Sequence, residues 1–234
     1  MSDVVGFRRA APGAQPAYDV AAYGSTRKRH PTHAPIRFAH TVTEATGPRF
    51  SPEQLPPLAD LSVANGKPAL GERIVVAGTV MDEDARPVPN TMIEIWQANA
   101  AGRYDHAGDQ HDAPLDPNFH GDGRVFTDAE GRYRFVSIKP GAYPWRNHPN
   151  AWRPNHIHFS LFGRGFATRL ITQMYFPGDP LLALDPIFNS VPDEAARQRL
   201  IASFDIGLTE PEWALGYRFD FVLRGREATP LDRA

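Results

Sequence analysis

The chain has 234 residues, 41% of them hydrophobic, so it is long enough for one well-packed domain with extensions but short for two. A formal charge of −2 excludes the strongly basic surface that binding to nucleic acid or an anionic membrane would need. Because cysteine is absent, disulfides, thiolate nucleophiles and cysteine-held metals are excluded, and His, Tyr or carboxylate side chains would have to hold any metal.

The first 70 residues are predicted to form an extended, irregular arm. They are rich in Pro, Ala and polar residues, and neither a helical period nor strand alternation is sustained before Glu72. Such a segment must lie on its own core or on a partner, or stay disordered, and we expect it on a partner subunit. Met1 to Ala10 lacks the apolar core of a signal peptide, and no stretch approaches the roughly 18 apolar residues of a membrane span, so a cytoplasmic location is expected.

From Glu72 onward the pattern predicts an all-β domain over residues 71–234 with a β-sandwich core. Short β-type runs alternate with Gly, Pro, Asn and Asp, and the candidate strands are 72–82, 90–97, 122–127, 132–138, 155–162, 168–176 and 215–223. Asp128–Gly131 predicts a hairpin turn. In the last strand, Tyr217, Phe219 and Phe221 alternate with charged residues, which indicates one buried face.

One short accessory helix is predicted at 192–204. Ser190 is the expected cap, Asp193 suits the first turn, and apolar residues recur every fourth position from Ala196 to Phe204. The polar segment 98–121 is predicted to be a long loop, and loops of this length in a compact domain are often functional.

The clearest chemical signal is the histidine pair of Arg153–Phe159. On a strand, His156 and His158 share one face, while apolar neighbours on the other face would pack in the core. Two neutral imidazoles one pleat apart are half of a metal site, but two half-buried histidines bonded to carbonyl groups would show the same pattern. The pair alone does not distinguish zinc, copper, iron and manganese.

Tyr104 and Tyr143 are candidate oxygen ligands. Tyr143 lies between turn-forming residues just before the histidine strand, and Pro144 restricts its conformation. For each tyrosine, the alternative is a ring that packs on the edge of the sandwich. Because phenolate is a hard, anionic donor, two tyrosines beside two histidines would indicate Fe(III).

Several separated motifs occur in the order found in the intradiol ring-cleavage dioxygenases, and the chain resembles that family over most of residues 70–225. The motifs are Trp96-Gln97-Ala98-Asn99, Gly102-Arg103-Tyr104, Tyr143-Pro144-Trp145-Arg146 and Trp152-Arg153-Pro154-Asn155-His156-Ile157-His158. Within the family, Tyr23-Gly24-Ser25-Thr26 and His30-Pro31 resemble the arm of the β-type subunits that act on protocatechuate.

The resemblance implies one Fe(III) per chain, held by Tyr104, Tyr143, His156 and His158 with a hydroxide or water. The charges of the ferric ion, two tyrosinates and one hydroxide then sum to zero, which permits burial. Tyr143 would be the departing ligand, and it would take a proton from the incoming catechol. The implied reaction opens protocatechuate with O2 to 3-carboxy-cis,cis-muconate, and the implied partner is an α-type subunit in a hetero-oligomer.

Arg153 would place a cation beside the negative charge that develops on the ring, although a surface arginine paired with a carboxylate is the commoner case. The residues expected to contact the substrate are Tyr23, Trp145, Arg153, Gln173 and Ile187. Other loop histidines are rejected as ligands because exposed histidine is ordinary there; they are His106, His111, His120 and His148.

Three alternatives stay open at the level of sequence. The first is an intradiol dioxygenase for another catechol. The second is a non-catalytic β-sandwich module in which these side chains only pack. The third is a zinc hydrolase built on the histidine pair with carboxylates as further ligands.

Overall fold

The computed structural model describes residues 16–34, 36, 51–162 and 169–223. The strands are β1 Val63–Ala64, β2 Lys67–Pro68, β3 Arg73–Asp82, β4 Met92–Trp96, β5 Asp122–Phe126, β6 Arg132–Ile138, β7 Tyr143–Pro144, β8 Trp152–Arg153, β9 His156–Phe162, β10 Arg169–Tyr175, β11 Ser203–Phe204, β12 Leu215–Arg218 and β13 Phe221–Leu223. Within the described ranges, three 3₁₀ helices span Gly24–Lys28, Pro180–Ala183 and Phe188–Ser190, and one α-helix, α1, spans Glu194–Gln198. No helix among these residues is long and apolar enough to cross a membrane.

Two main sheets form the sandwich. The first has the order β10-β9-β4-β5 and is antiparallel throughout. The second has the order β11-β12-β3-β13, with β6 also paired to β3, and here β12 and β13 run parallel to β3. The predicted all-β sandwich with little helix is confirmed.

One apolar cluster joins the facing sides of the two sheets. Ile157, Phe159 and Leu161 alternate along β9 and are completely or almost completely buried. They meet Ile74 and Val76 of the second sheet in the same cluster. Burial of each such side chain contributes about 1.5–3 kcal/mol, so β9 is firmly held. Because the apolar face of β9 is anchored in the core, the polar side chains on its opposite face are held in place as well.

The turn Asp128–Gly131 forms, but the prediction that it closes a hairpin is wrong. The Asp128 backbone N–H donates to the carbonyl of Arg132, and Gly131 adopts a φ of 73°. However, β5 pairs with β4 in the first sheet, whereas β6 pairs with β3 in the second. The turn therefore passes the chain from one sheet to the other, a choice that the turn residues do not encode.

The accessory helix is shorter than predicted and has a different cap. Asp193 is the N-cap, since its side chain accepts a hydrogen bond from Ala196 N, while Ser190 ends the preceding 3₁₀ helix. Ser203–Phe204 leaves the predicted helix and pairs with β12 instead. Pairing with β12 at the edge of the sheet therefore outweighs the helix preference that apolar residues at every fourth position indicated. The strand predicted at 215–223 also divides into β12 and β13.

Part of the segment upstream of residue 70 packs into the domain. Leu61 has no exposed surface and belongs to the core cluster, and its N–H donates to Val136 O. Asn65 and Gly66, both at positive φ, close a small hairpin between β1 and β2. The expected docking of the arm on a partner concerns residues largely outside the described ranges, and it stays a prediction.

Candidate metal centre

Two histidines of β9 form the middle of the candidate site. His156 and His158 share the face of the strand that is opposite the core, as predicted, and their Nε2 atoms lie 3.2 Å apart. Nδ1 of His156 donates a hydrogen bond of 2.7 Å to the Pro154 carbonyl oxygen. This bond selects the tautomer in which Nε2 keeps a free lone pair, the state required of a metal ligand.

The surroundings keep both imidazoles uncharged. Trp96, the neighbour of His158 on β4, stacks on its ring with centroids 4.8 Å apart. Burial lowers the pKa of His158 to about 4, and the positive charge of Arg153 adds to this shift. Burial and then Arg153 also hold the pKa of His156 well below its usual range. Near pH 7 both rings are therefore neutral and able to bind a metal.

Tyr104 reaches the histidine pair from the loop between β4 and β5, and Tyr143 reaches it from the start of the short strand β7. The Tyr143 hydroxyl lies 3.2 Å from Nε2 of His156, and the two tyrosine rings meet edge to face at 5.4 Å. The Tyr104 hydroxyl is buried and has no hydrogen-bond partner among the described residues. Burial raises the pKa of both hydroxyls, so each needs a nearby cation in order to ionise near neutral pH.

These four side chains fit a ferric ion. Donor atoms that share a metal at about 2 Å lie about 3 Å from one another, and the 3.2 Å contacts of His156 Nε2 with His158 Nε2 and with Tyr143 Oη match this spacing. The unsatisfied Tyr104 hydroxyl is an atom that a metal would satisfy. Within the described ranges, no group of three or more His, Asp or Glu side chains could hold a metal. A zinc site made of the histidine pair and carboxylates is therefore not supported by these residues. Phenol oxygens suit Fe(III).

Asn99 connects the loop that carries Tyr104 to the loop that precedes Tyr143. Its side-chain oxygen accepts hydrogen bonds from Ala101 N and Arg103 N, just before Tyr104. Its backbone carbonyl accepts one from Gly141 N, two residues before Tyr143, at 2.9 Å. One largely buried residue therefore fixes the first loop through its side chain and binds the second through its backbone carbonyl.

The two loops touch backbone to backbone at a pair of glycines. Gly102 has a φ of +79°, and a Cβ placed there would lie 2.2 Å from the Ala142 carbonyl oxygen. A Cβ on Gly141 would lie 2.4 Å from the Ala100 carbonyl oxygen. Only glycine permits such an approach. We call this contact, together with Asn99, the Asn99 clamp.

Arg153 is almost completely buried, with 4% of its surface exposed, so the alternative of a surface arginine is wrong. Its Nη2 donates to Gln173 Oε1 at 2.5 Å and lies 3.3 Å from both Tyr175 Oη and Asp185 Oδ2. Its Nε lies 3.1 Å from Asp185 Oδ1. Burial alone would lower the pKa of Arg153, but Asp185 first, and then Tyr175 and Tyr143, together outweigh burial and raise it. The cation is thus permanent.

The residues predicted to contact substrate lie around Arg153. Gln173, the β10 neighbour of His158, binds its guanidinium, and the Trp145 ring lies 5.5 Å from it. Ile187 is connected less directly, through a hydrogen bond from its N–H to Asp185. Tyr23 of the arm packs on Trp145 with ring centroids 5.6 Å apart. A cavity of about 920 Å³ opens beside Trp145, between residues 108–112 and 144–152.

Three residues at or near the site were missed by sequence reasoning: Asn99, Tyr175 and Asp185. Tyr175 is the β10 neighbour of His156, and its position in a strand gave no chemical signal. Asp185 stands alone among apolar residues from Leu181 to Ile187. A lone carboxylate in such a run must find a counter-charge if it is buried, and that signal could have identified it.

Known proteins are similar to this chain over almost its whole length. A family described as dioxygenase matches residues 45–225, and one described as the N-terminal part of the protocatechuate 3,4-dioxygenase beta subunit matches residues 7–41. The protocatechuate 3,4-dioxygenase beta chain of Burkholderia cepacia is 63% identical over 222 residues, which cover 93% of this chain and 94% of that one. The alpha chain of the same organism is 32% identical over 162 residues, covering 68% and 76%.

A solved structure is similar in fold as well. The dioxygenase domain of a carbohydrate-binding fusion protein from Streptomyces sp. SirexAA-E is 30% identical, with a TM-score of 0.53 over 76% of this chain and 94% of that chain. The resemblance predicted from the separated motifs is therefore confirmed across both the arm and the sandwich. The chain belongs to the intradiol ring-cleavage dioxygenase family, on the branch of the protocatechuate 3,4-dioxygenase beta chains.

Proposed function

We propose that this enzyme cleaves protocatechuate with O2 to 3-carboxy-cis,cis-muconate, with one Fe(III) per chain held by Tyr104, Tyr143, His156 and His158. The observation that carries the proposal is the convergence of two phenols and two neutral imidazoles next to a buried arginine. The substrate is supported by the 63% identity to a protocatechuate 3,4-dioxygenase beta chain. Bound Fe(III) would supply a Lewis acid that draws electron density from the catecholate and so prepares a ring carbon for O2.

Tyr143 is the proton acceptor in this proposal. Because burial raises the pKa of its hydroxyl, a Tyr143 phenolate would be a strong base toward a hydroxyl of the incoming catechol. The proton would be taken up at Oη. The nearby Arg153 charge opposes the shift and moderates that basicity.

Arg153 stabilises negative charge on the ring in this proposal. Its cation is held at a fixed place by Gln173 and Asp185, out of bulk water, where a charge acts more strongly than it does at the surface. Trp145 and Tyr23 extend the site toward the cavity and would contact the remaining part of the substrate.

An α-type subunit is the proposed partner in a hetero-oligomer. The beta-chain identity and the weaker likeness to alpha chains support a two-subunit enzyme. The N-terminal arm of the present chain would cross the boundary to the α-type subunit, as expected for a segment rich in Pro and polar residues. Oxygen is the proposed second substrate.

The test is turnover by the iron-loaded protein co-expressed with an α-type subunit. Oxygen uptake is measured with protocatechuate, catechol and hydroxyquinol, and protocatechuate is expected to have the highest kcat/KM. Visible absorption from tyrosinate bound to Fe(III) is expected, and it should shift when protocatechuate is added without oxygen. A clear preference for catechol would overturn the substrate, and a colourless protein that contains iron would overturn the ligand set.

A further inference from the structure

Asp185 is a buried carboxylate that contacts Arg153 but is given no chemical step in the proposed reaction. It has no exposed surface and lies between the 3₁₀ helices Pro180–Ala183 and Phe188–Ser190. Its two oxygens contact Arg153 at Nε and Nη2, and Oδ2 also accepts a hydrogen bond of 3.2 Å from Tyr175 Oη. The same carboxylate accepts hydrogen bonds from the N–H groups of Ile187 and Phe188.

These contacts determine which edge of the Arg153 guanidinium is occupied. Nη2 is hydrogen-bonded to Asp185, Gln173 and Tyr175, whereas Nε lies 3.1 Å from Asp185 Oδ1 as an ion-pair contact without hydrogen-bond geometry. Nη1 makes no hydrogen bond to any residue that the structure describes. Because the guanidinium is planar, holding one edge aims the remaining donor in one direction.

Stability alone is a weak reason for such a pair. Taking two charges out of water is costly, and well-packed apolar residues often stabilise a core as much as a buried ion pair does. A carboxylate with several partners is better explained if Arg153 must stay buried and charged. In that case Asp185 is needed to prevent an uncompensated cation beside the site.

The charge of the proposed centre gives Asp185 a second purpose. The ferric ion with two tyrosinates, one hydroxide and two neutral imidazoles would sum to zero, so Arg153 alone would make the buried region positive. With Asp185 included, the region is again neutral, because the pair Arg153 and Asp185 has no net charge. The positive charge can then act locally on the substrate ring without destabilising the whole site.

We propose that Asp185 is a positioning residue, which orients the Arg153 guanidinium and supplies its counter-charge so that Arg153 can act on the bound catechol. This inference rests on the proposed function. Through the N–H groups of Ile187 and Phe188, the same carboxylate also fixes the segment expected to line the substrate pocket.

The first experiment compares Asp185→Asn with Asp82→Asn in the holoenzyme. Asp82 is also buried, and its carboxylate accepts hydrogen bonds from Asp84 N and Arg86 N at the far end of β3, so it is a matched control. We expect D185N to lower kcat for protocatechuate on the order of 100-fold, with a smaller change in KM, since a misplaced catalytic group costs roughly that much. Iron content and the tyrosinate absorption should be retained. D82N should keep the wild-type kcat.

The second experiment is a double-mutant cycle with Arg153→Gln. If Asp185 acts through Arg153, D185N should cause little further loss of kcat in the R153Q background. An equal loss in both backgrounds, or a D185N enzyme with wild-type kcat, would overturn the inference. If D185N alone fails to fold, the R153Q/D185N protein provides the test. The inference then requires that this double variant fold and have the same kcat as R153Q.

Thermal unfolding of the metal-free proteins provides a readout that is independent of turnover. D185N should have the lowest Tm of the cycle, because it leaves a buried cation unpaired, and R153Q/D185N should lie above it. Additive changes in Tm would overturn the pairing. A wild-type enzyme without ring-cleaving activity would instead overturn the proposed function, while the metal-free cycle would still show whether Asp185 holds Arg153.

Discussion

Tyr104 is the residue whose environment most directly indicates a missing partner. Its hydroxyl is buried and without a hydrogen bond inside the described ranges, and burial raises its pKa. A buried hydroxyl of this kind costs about 1–3 kcal/mol unless something binds it. The proposed iron would remove that cost, so the phenol is better explained as a ligand than as a packing ring.

Tyr104→Phe is expected to remove a ligand and leave the ring packing intact. The variant should purify with much less iron than wild type, lose most of its visible absorption, and show kcat reduced by about 100-fold or more. Tyr133→Phe is the control, since Tyr133 is also buried but its hydroxyl donates to Phe219 O inside the core. A Y104F protein with full iron and an unchanged spectrum would rule Tyr104 out as a ligand.

His158 makes the metal-free protein sensitive to acid. Its pKa in the folded chain is about 4, below the unfolded value of about 6.5, so the neutral form is favoured by folding. The stabilisation is present above about pH 6.5 and is lost as the pH falls toward 4, which amounts to about 3 kcal/mol.

The expected result is a Tm of the metal-free protein that falls steeply between pH 6.5 and pH 4. Scanning calorimetry at a series of pH values measures it. His158→Gln removes the titrating group, so its Tm should depend less on pH over the same range. Parallel curves for the two proteins would contradict the assignment.

At the scale of elements, the site depends on two loops that are held at a fixed distance. The Asn99 clamp joins the loop before Tyr104 to the loop before Tyr143 through hydrogen bonds and through contacts that exclude a Cβ. The backbone segments that carry the two phenols are therefore held at a fixed distance. Strand β9 fixes the imidazoles independently of this clamp, through its apolar face.

Gly102→Ala is expected to separate the two loops. The added methyl meets the Ala142 carbonyl oxygen at 2.2 Å, and a φ of +79° is strained for alanine. Gly66→Ala has the same type of strain at a φ of +70°, but nothing lies within 4 Å of its Cβ. Both variants should lose about 1 kcal/mol of stability from the backbone.

Only G102A should, in addition, lose iron and visible absorption, because only there are the two tyrosines forced apart. Urea unfolding and iron analysis of both variants measure the two effects separately. Equal iron content in G102A and G66A would mean that the clamp does not control the spacing of the tyrosines.

At the scale of the whole molecule, the arm reaches its own chain near the cavity. Asn147 Oδ1 accepts a hydrogen bond from Gly24 N, and Asn147 Nδ2 donates to the Ala22 carbonyl oxygen, at 2.8 and 2.7 Å. These bonds hold Tyr23 against Trp145. The arm is therefore a candidate wall of the substrate site, in addition to its predicted contact with a partner.

Asn147→Ala is expected to raise KM for protocatechuate by about three- to tenfold with little change in kcat, because two exposed hydrogen bonds of roughly 0.5 kcal/mol each are lost away from the reacting atoms. Asn65→Ala is the control, since Asn65 bonds the Pro117 carbonyl oxygen at the exposed hairpin. Steady-state kinetics of the two variants distinguish them. A KM that rises equally in both would exclude a specific effect of the arm.

The sequence by itself determined whatever depends on near neighbours. A period of two along β9 places His156 and His158 opposite the apolar Ile157 and Phe159, so their shared face could be predicted. Most strand positions followed for the same reason. The Asn65-Gly66 hairpin carries an equally local signal and could have been predicted too.

Only the tertiary structure decided the contacts between distant segments. Arg153 and Asp185 are 32 positions apart, and Asn99 reaches Gly141 across the intervening strands β5 and β6. The turn at Asp128–Gly131 likewise does not reveal that it passes between sheets. Local periodicity fixes the direction of a side chain, but the partner it meets depends on how loops and sheets pack, and that is a property of the folded chain as a whole.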